Sequence, residues 1–337
     1  MGSKTKIDWC DATWNPVTGC LHGCEYCYAR KIAERFGGCW RLDLPADKEW
    51  RGKVAAGELM GDFARHQNGK CHVLDVPEIE CAVIDAPEGY RGKVKPHPYY
   101  FDPTLHRYRL GDPAHWKKPR TIFVCSMADL FGTWVPQEWQ QEVLKACLNA
   151  PQHRYLFLTK APNHVCQWPR FKGDKDYLDF DQERNGAIRD NIWIGVSFTG
   201  LTEEIPDADI YDSFTDTRAR YLERLPVHFC GHKFMSIEPI HCDVTELHKD
   251  WVDGLSGKPF KEYWFKDRAR EYEWIIVGAE TGNRKDKIAP ERSWIEHLAS
   301  FCKDAGIPLF MKESLRELMG DDFRQEFPWD METSDKT

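Results

Sequence analysis

Short apolar runs that stop abruptly at polar residues recur along the chain, with loops and helix-period stretches between them. Residues 12–17 form the first such run and lead into a cysteine-rich loop. A helix is expected over 28–36, with Ala29, Ile32, Ala33 and Phe36 on one side and a stop at Gly37-Gly38. The run 121–125 ends at Ser126-Met127-Ala128-Asp129, and Pro136 then opens a helix carrying Trp139, Val143 and Cys147 at i, i+4 spacing. Further runs at 155–158, 192–196, 233–237, 274–278 and 307–311 end at Thr159-Lys160, Ser197-Phe198-Thr199, Glu238-Pro239, Glu280-Thr281 and Lys312-Glu313. A helix over 290–305 precedes the last of them and stops at Gly306. Apolar strands alternating with helices indicate an α/β fold with a parallel sheet covered on both faces. Ligands of such sheets lie at the carboxyl ends of the strands. A single polar residue there is usually a turn or a cap, but six successive strands ending this way favour a shared pocket.

The loop after the first run reads Thr18-Gly19-Cys20-Leu21-His22-Gly23-Cys24-Glu25-Tyr26-Cys27-Tyr28, a Cys-x3-Cys-x2-Cys spacing with two glycines and an aromatic before the third cysteine. Thiolate is the soft ligand that iron–sulfur centres and zinc select. A closed structural zinc site takes four protein ligands. Three thiolates on one loop suit a four-iron cluster with one iron left open. A zinc knuckle completed by His22, Cys10 or another cysteine is the competing reading.

Composition narrows the setting. The chain has 337 residues, 42% of them hydrophobic, enough for one large domain or two ordinary ones. It contains no apolar run long enough to span a membrane and no apolar signal-peptide core at its start, so a cytoplasmic protein without a membrane partner is expected. In a reducing compartment thirteen cysteines are ligands, catalytic groups or small core residues, not a disulfide framework. The net charge of −8 argues against blanket electrostatic binding of nucleic acid but leaves room for a local groove.

Three segments are expected: 1–37 with the first strand, the cysteine loop and the first helix; 38–94, a polar, turn-rich insertion with Cys39, Cys71 and Cys81 scattered through it; and 95–337 with the rest of the α/β fold and a C-terminal tail. Basic and aromatic residues interleave between 95 and 120, including Arg107, Arg109, Lys117 and Lys118. That pattern fits either a phosphate-and-base surface or a loop packed on its own aromatics.

Five stretches together carry a resemblance. Asp11-Ala12-Thr13-Trp14-Asn15-Pro16-Val17-Thr18-Gly19-Cys20, Ser126-Met127-Ala128-Asp129-Leu130-Phe131, Leu156-Phe157-Leu158-Thr159-Lys160, Ser236-Ile237-Glu238-Pro239 and Val277-Gly278-Ala279-Glu280-Thr281-Gly282 are similar to the phage three-cysteine-motif radical S-adenosylmethionine (SAM) proteins. A more distant similarity is to spore photoproduct lyase. The resemblance implies a partial (β/α)6-type radical SAM barrel with a polar insertion after the first helix. It implies a [4Fe-4S] cluster on Cys20, Cys24 and Cys27, with SAM chelated at the open iron and cleaved to a 5′-deoxyadenosyl radical. Lys160 would pair with the SAM carboxylate, Ser197 and Thr199 would bond its ribose or carboxylate, and Tyr26 and Tyr28 would pack at the adenine. Ser126 and Asp129 would stand where many members of the superfamily carry a Gly-Gly-Glu that holds the SAM amino group. Glu238 and Glu280 would take ribose hydroxyls or a substrate amine, and Lys312 or Arg284 a substrate carboxylate. Cys125, at the end of the second strand, is either a hydrogen-atom donor or a small core residue. The implied partners are DNA and an electron donor such as flavodoxin or ferredoxin, in the host cytoplasm if the protein is phage-encoded. The implied reaction is isomerisation of N-linked glycinyl-thymidine to its C-linked form. Repair of thymine photoproducts, modification of RNA or a nucleoside, and a zinc-stabilised nucleic-acid binding module without catalysis are the alternatives.

Overall fold

A computed structural model describes residues 5–37, 82–84, 97, 100–162, 165, 190–199, 231–247, 249–252, 259–262, 265–266 and 269–330. The expected insertion at 38–94, with Cys39, Cys71 and Cys81, lies outside the described residues except for one short strand. The chain divides into two compact units, Met1–Thr5 with Cys10–Phe157 and Lys6–Trp9 with Leu158–Thr337.

In the first unit the expected first strand is two strands. β1 (Ala12–Trp14) and β2 (Val17–Thr18) are interrupted at Asn15-Pro16, where proline has no backbone N–H to extend a ladder. α1 (Tyr28–Phe36) follows the cysteine loop. β3 (Ala82–Ile84) runs parallel to β4 (Thr104–His106), which pairs antiparallel with β2 in a small three-stranded sheet. The short helix α2 (Asp112–His115) leads to β5 (Thr121–Val124), α3 (Gln137–Leu148) and β6 (Arg154–Thr159). β5 pairs parallel with both β1 and β6, placing Thr13 opposite Phe123 and Phe123 opposite Leu156. The buried face of α3 carries Trp139, Val143 and Cys147, the residues that its sequence spacing singles out, with Leu144 beside them.

The outward face of α1 departs from expectation. Ala29 and Ala33 turn inward against Phe101, whereas Ile32 and Phe36 are exposed with Tyr28. All four positions fall within one arc of about 100°, and Phe101 closes only the edge that carries the alanines.

In the second unit β7 (Ile192–Phe198) and β8 (His232–Ile237) are parallel neighbours, and the antiparallel pair β9 (Lys249–Val252) and β10 (Pro259–Glu262) follows. β11 (Trp274–Val277), α4 (Arg292–Ala305), β12 (Leu309–Met311) and the short helix α5 (Arg316–Met319) complete it. β11 runs parallel to β8 on one side and β12 on the other. Continuous burial along β7 and β11 reflects strands covered on both faces, and Gly306 ends α4 at φ 69° as a left-handed cap. The strand order is β1-β5-β6-β7-β8-β11-β12, so the strands of this parallel sheet follow chain order, as in a partial (β/α) barrel.

Candidate functional site

The first unit holds the cysteine loop at both ends. Gly19 has φ 90°, and a Cβ there would stand 2.1 Å from the Asp102 carbonyl oxygen. Only glycine lets the chain pass this close to another backbone. The Gly19 N–H donates to Met127 O at 2.9 Å and the Cys20 N–H to Phe101 O at 3.0 Å. At the far end Cys27 is the N-cap of α1, its Sγ accepting the Arg30 N–H at 3.3 Å. Arg30 reaches back to Cys20 O at 3.3 Å and lies 5.0 Å over the Phe101 ring.

Between these ends His22 fixes the middle of the loop. Its Nε2 is 2.7 Å from Asp129 Oδ2, and its ring meets Trp134 edge-on at 4.8 Å. Asp129 is 4% exposed, and its other oxygen accepts the Phe131 N–H at 3.1 Å. Asn15, at the break between β1 and β2, accepts the Ser126 hydroxyl at 3.1 Å and the Met127 N–H at 3.0 Å. The Tyr28 hydroxyl donates to Ser126 O at 2.8 Å. The turn after β5 is thus tied to the cysteine loop through backbone, carboxylate and the Tyr28 hydroxyl, and to the β1–β2 break through the Asn15 amide.

Cys20, Cys24 and Cys27 are all partly exposed. Their charges act on one another, so the three thiols share one neighbourhood. Burial raises the Cys20 thiol well above the usual cysteine range, and the Asp129 charge adds to the effect. Burial also raises Cys27, against the Arg30 N–H hydrogen bond. Such thiols keep their protons until a cation displaces them. Among the described residues, no set of three or more His, Cys, Asp or Glu side chains converges on a point where a single metal ion would sit. The loop's own donor set is three sulfurs. Three thiolates are the donor type that a four-iron cluster takes.

Cys125 is a core side chain. It is 3% exposed with φ 56°, and its N–H donates to Trp14 O at 2.8 Å. Burial pushes its thiol up to about 12, and its charge is felt by buried Cys147 of α3. Of the four basic residues expected to face nucleic acid, Lys117 and Lys118 are exposed. Arg107 is forked onto Glu142 with both bonds at 2.9 Å. Arg109 is half-buried, donating to Asn15 O at 3.1 Å and to Asp112 at 3.4 Å, while its own carbonyl accepts the Trp14 indole N–H at 2.8 Å. In the described part of this stretch His106, buried, bonds Thr18 at 2.9 Å and stands edge-on to Tyr108.

The second unit gathers two acid–base pairs. Lys312 is ion-paired with Glu238. Its stem lies on Gly278, where a Cβ would come within 2.9 Å of Lys312 Cδ. Glu280, whose side chain is 2% exposed, receives a fork of two 2.7 Å bonds from Arg284. His241 stands 3.9 Å from the same carboxylate. Burial lowers its pKa, Glu280 pulls the other way, and the charges of Arg284 and Lys160 add to the lowering. Lys160, just beyond β6, is therefore within electrostatic reach of His241. The Thr199 carbonyl accepts the His241 N–H at 3.2 Å. Ser197 and Ser236 are register partners on β7 and β8, so both hydroxyls stand on one face, and both are buried.

Sequence reasoning missed the structural parts played by Asn15, His22 and His241. Asn15 and His22 lie within the quoted motifs, but their partners are more than a hundred residues away. His241 carries no motif at all, and only the pairing of β8 with β11 brings it beside Glu280.

The chain is similar to three solved structures of spore photoproduct lyase. One, complexed with dinucleoside spore photoproduct, has 9% identity and a TM-score of 0.41, covering 92% of this chain and 78% of that one. A cysteine-to-serine mutant has 10% identity and a TM-score of 0.44 with the same coverage. A double mutant with bound AdoMet and dinucleoside spore photoproduct has 10% identity and a TM-score of 0.41, covering 96% and 78%. Likeness at this level carries no functional weight. No curated protein matches the sequence. A family model described as "Protein of unknown function (DUF5131)" matches residues 4–59 and 91–318, well over half of the chain. The chain belongs to the DUF5131 family.

Proposed function

We propose that this protein is a radical SAM enzyme acting on a nucleobase in DNA. The observation that carries the reading is the cysteine loop: three neighbouring thiols on one turn, clamped at Gly19, anchored through His22 and Asp129, and ending in Cys27 as the N-cap of α1. Cys20, Cys24 and Cys27 would hold a [4Fe-4S] cluster. When bound, that cluster supplies one electron to SAM held at its open iron. Lys160 would balance the SAM carboxylate, while Ser197 and Thr199 would offer hydroxyls to SAM. Tyr26 would pack at the adenine. Asp129 has both oxygens engaged within the first unit, so its part is to hold the loop in place.

The two acid–base pairs support the finer reading, isomerisation of N-linked glycinyl-thymidine in phage DNA. An amino-acid substituent carries an ammonium and a carboxylate. Each of the pairs Glu238–Lys312 and Glu280–Arg284 offers the complementary charges. Photoproduct repair would draw on Cys125 as hydrogen donor, and the burial of that thiol beside Cys147 gives it less support.

The test is anaerobic incubation with SAM, a reductant and DNA containing glycinyl-thymidine, followed by mass spectrometry of the nucleosides. Conversion to the C-linked isomer is expected. An unchanged nucleoside profile under conditions that cleave SAM overturns the substrate assignment.

A further inference from the structure

Among the described residues, helix α1 carries an exposed apolar face. Tyr28, Ile32 and Phe36 follow one another at i, i+4 and i+8 and are 48%, 40% and 55% exposed. The adjoining face is lined by Ala29 and Ala33 and is buried, so the bulkier side chains are the exposed ones. Lys31 and Arg35 flank the stripe and are exposed, and the Arg35 guanidinium lies 5.2 Å over the Phe36 ring. Within α1, Arg30, Lys31 and Arg35 outweigh Glu34, giving the helix a positive charge on a chain whose total is −8. The stripe begins at Tyr28, immediately after Cys27, which caps the same helix.

We propose that the exposed face of α1 is the docking surface for an acidic one-electron carrier protein, of the flavin or iron–sulfur type. The inference rests on the cluster assignment above and adds the place where reduction occurs. An apolar centre with a charged rim is the anatomy of a protein–protein contact. Nucleic-acid interfaces are much more densely positive than this helix. A carrier with an acidic face would be opposed by the chain's net charge of −8 and drawn to α1. Docked there, it sits against the element whose first turn begins at a cluster cysteine. One electron then leaves the carrier's centre and one enters the cluster, with no other reactant needed.

The test uses the full chain, anaerobically reconstituted, in two forms: Ile32→Glu, and the charge reversal Lys31→Glu with Arg35→Glu. Iron content is measured first. Reduction of the visible absorbance is then followed with photoreduced flavodoxin and, separately, with dithionite, and flavodoxin binding is measured directly. Both variants should lose about tenfold or more in flavodoxin binding and flavodoxin-driven reduction, with the wild-type rate falling as salt is added. Dithionite-driven reduction should not change. Iron-loaded variants that flavodoxin binds and reduces as well as wild type overturn the docking assignment alone. So does loss of duplex DNA binding with carrier binding intact, or α1 amides already protected from exchange in the isolated chain by its own residues. An iron-free wild-type chain overturns the cluster assignment, and the docking assignment with it.

Discussion

His22 Nε2 and Asp129 Oδ2 are 2.7 Å apart, joining the middle of the cysteine loop to the turn after β5. The two residues are separated by more than a hundred positions, and Asp129 is buried. Because the pair is shielded from water, its removal exposes a cost that a surface pair would not.

Asp129→Ala should therefore lower stability by about 1–3 kcal/mol, since it strands the His22 ring and the Phe131 N–H. It should also lower iron retention after anaerobic reconstitution. His22→Ala should weaken retention too but leave iron stoichiometry unchanged, because His22 Nε2 faces Asp129. Iron analysis before and after gel filtration separates these outcomes. A stoichiometry that changes with His22→Ala would make His22 a ligand.

Gly19→Ala should be far more damaging than Gly306→Ala. Both glycines have positive φ, which alone costs a larger residue about 1–3 kcal/mol. A Cβ at Gly306 meets nothing within 4 Å, whereas one at Gly19 stands 2.1 Å from the Asp102 carbonyl oxygen. Denaturant unfolding of the two variants provides the comparison; similar losses would contradict the close approach at Gly19.

Arg284→Met should destabilise the second unit by about 3–5 kcal/mol, because it strips both guanidinium bonds from the buried Glu280 carboxylate. Adding Glu280→Gln should recover much of that loss. A double-mutant cycle in urea measures the coupling, and simple additivity would contradict the pairing.

Stability should fall with pH below about 6.5, the ordinary histidine pKa. Burial, reinforced by the Arg109 charge, depresses His97 to about 4 and His106 to about 3. Both stay neutral when folded, while the unfolded chain takes up their protons below that ordinary value. The unfolded state then binds more protons, so stability rises with pH from the folded values up to the ordinary one. Between pH 7 and pH 5 each buried histidine should cost about 2 kcal/mol. His106→Asn should flatten that dependence relative to wild type.

The strand positions were legible because continuous apolar runs with sharp polar ends are what a doubly covered parallel strand requires. Residues 192–196 and 274–278 lie within or overlap β7 and β11 for that reason. The cysteine loop was legible because its spacing is local. The break at Asn15-Pro16 was less so, since the apolar pattern continues across it and only proline's missing donor ends the strand. The orientation of α1 was not legible: Ala29 and Ile32 fit the same periodic stripe on paper, and burial went to the side that Phe101 closes. The contacts of Arg109 were hidden as well, because a basic residue among aromatics looks alike whether it faces a phosphate or a distant carbonyl.

Iron and acid-labile sulfide, counted in the anaerobically prepared full chain and in its Cys20→Ala, Cys24→Ala and Cys27→Ala variants, test the central claim most directly. The expected result is about four of each per chain in wild type, with the brown absorbance of a thiolate-bound cluster that each single variant largely loses. A colourless wild-type protein holding one zinc ion and no iron would contradict it.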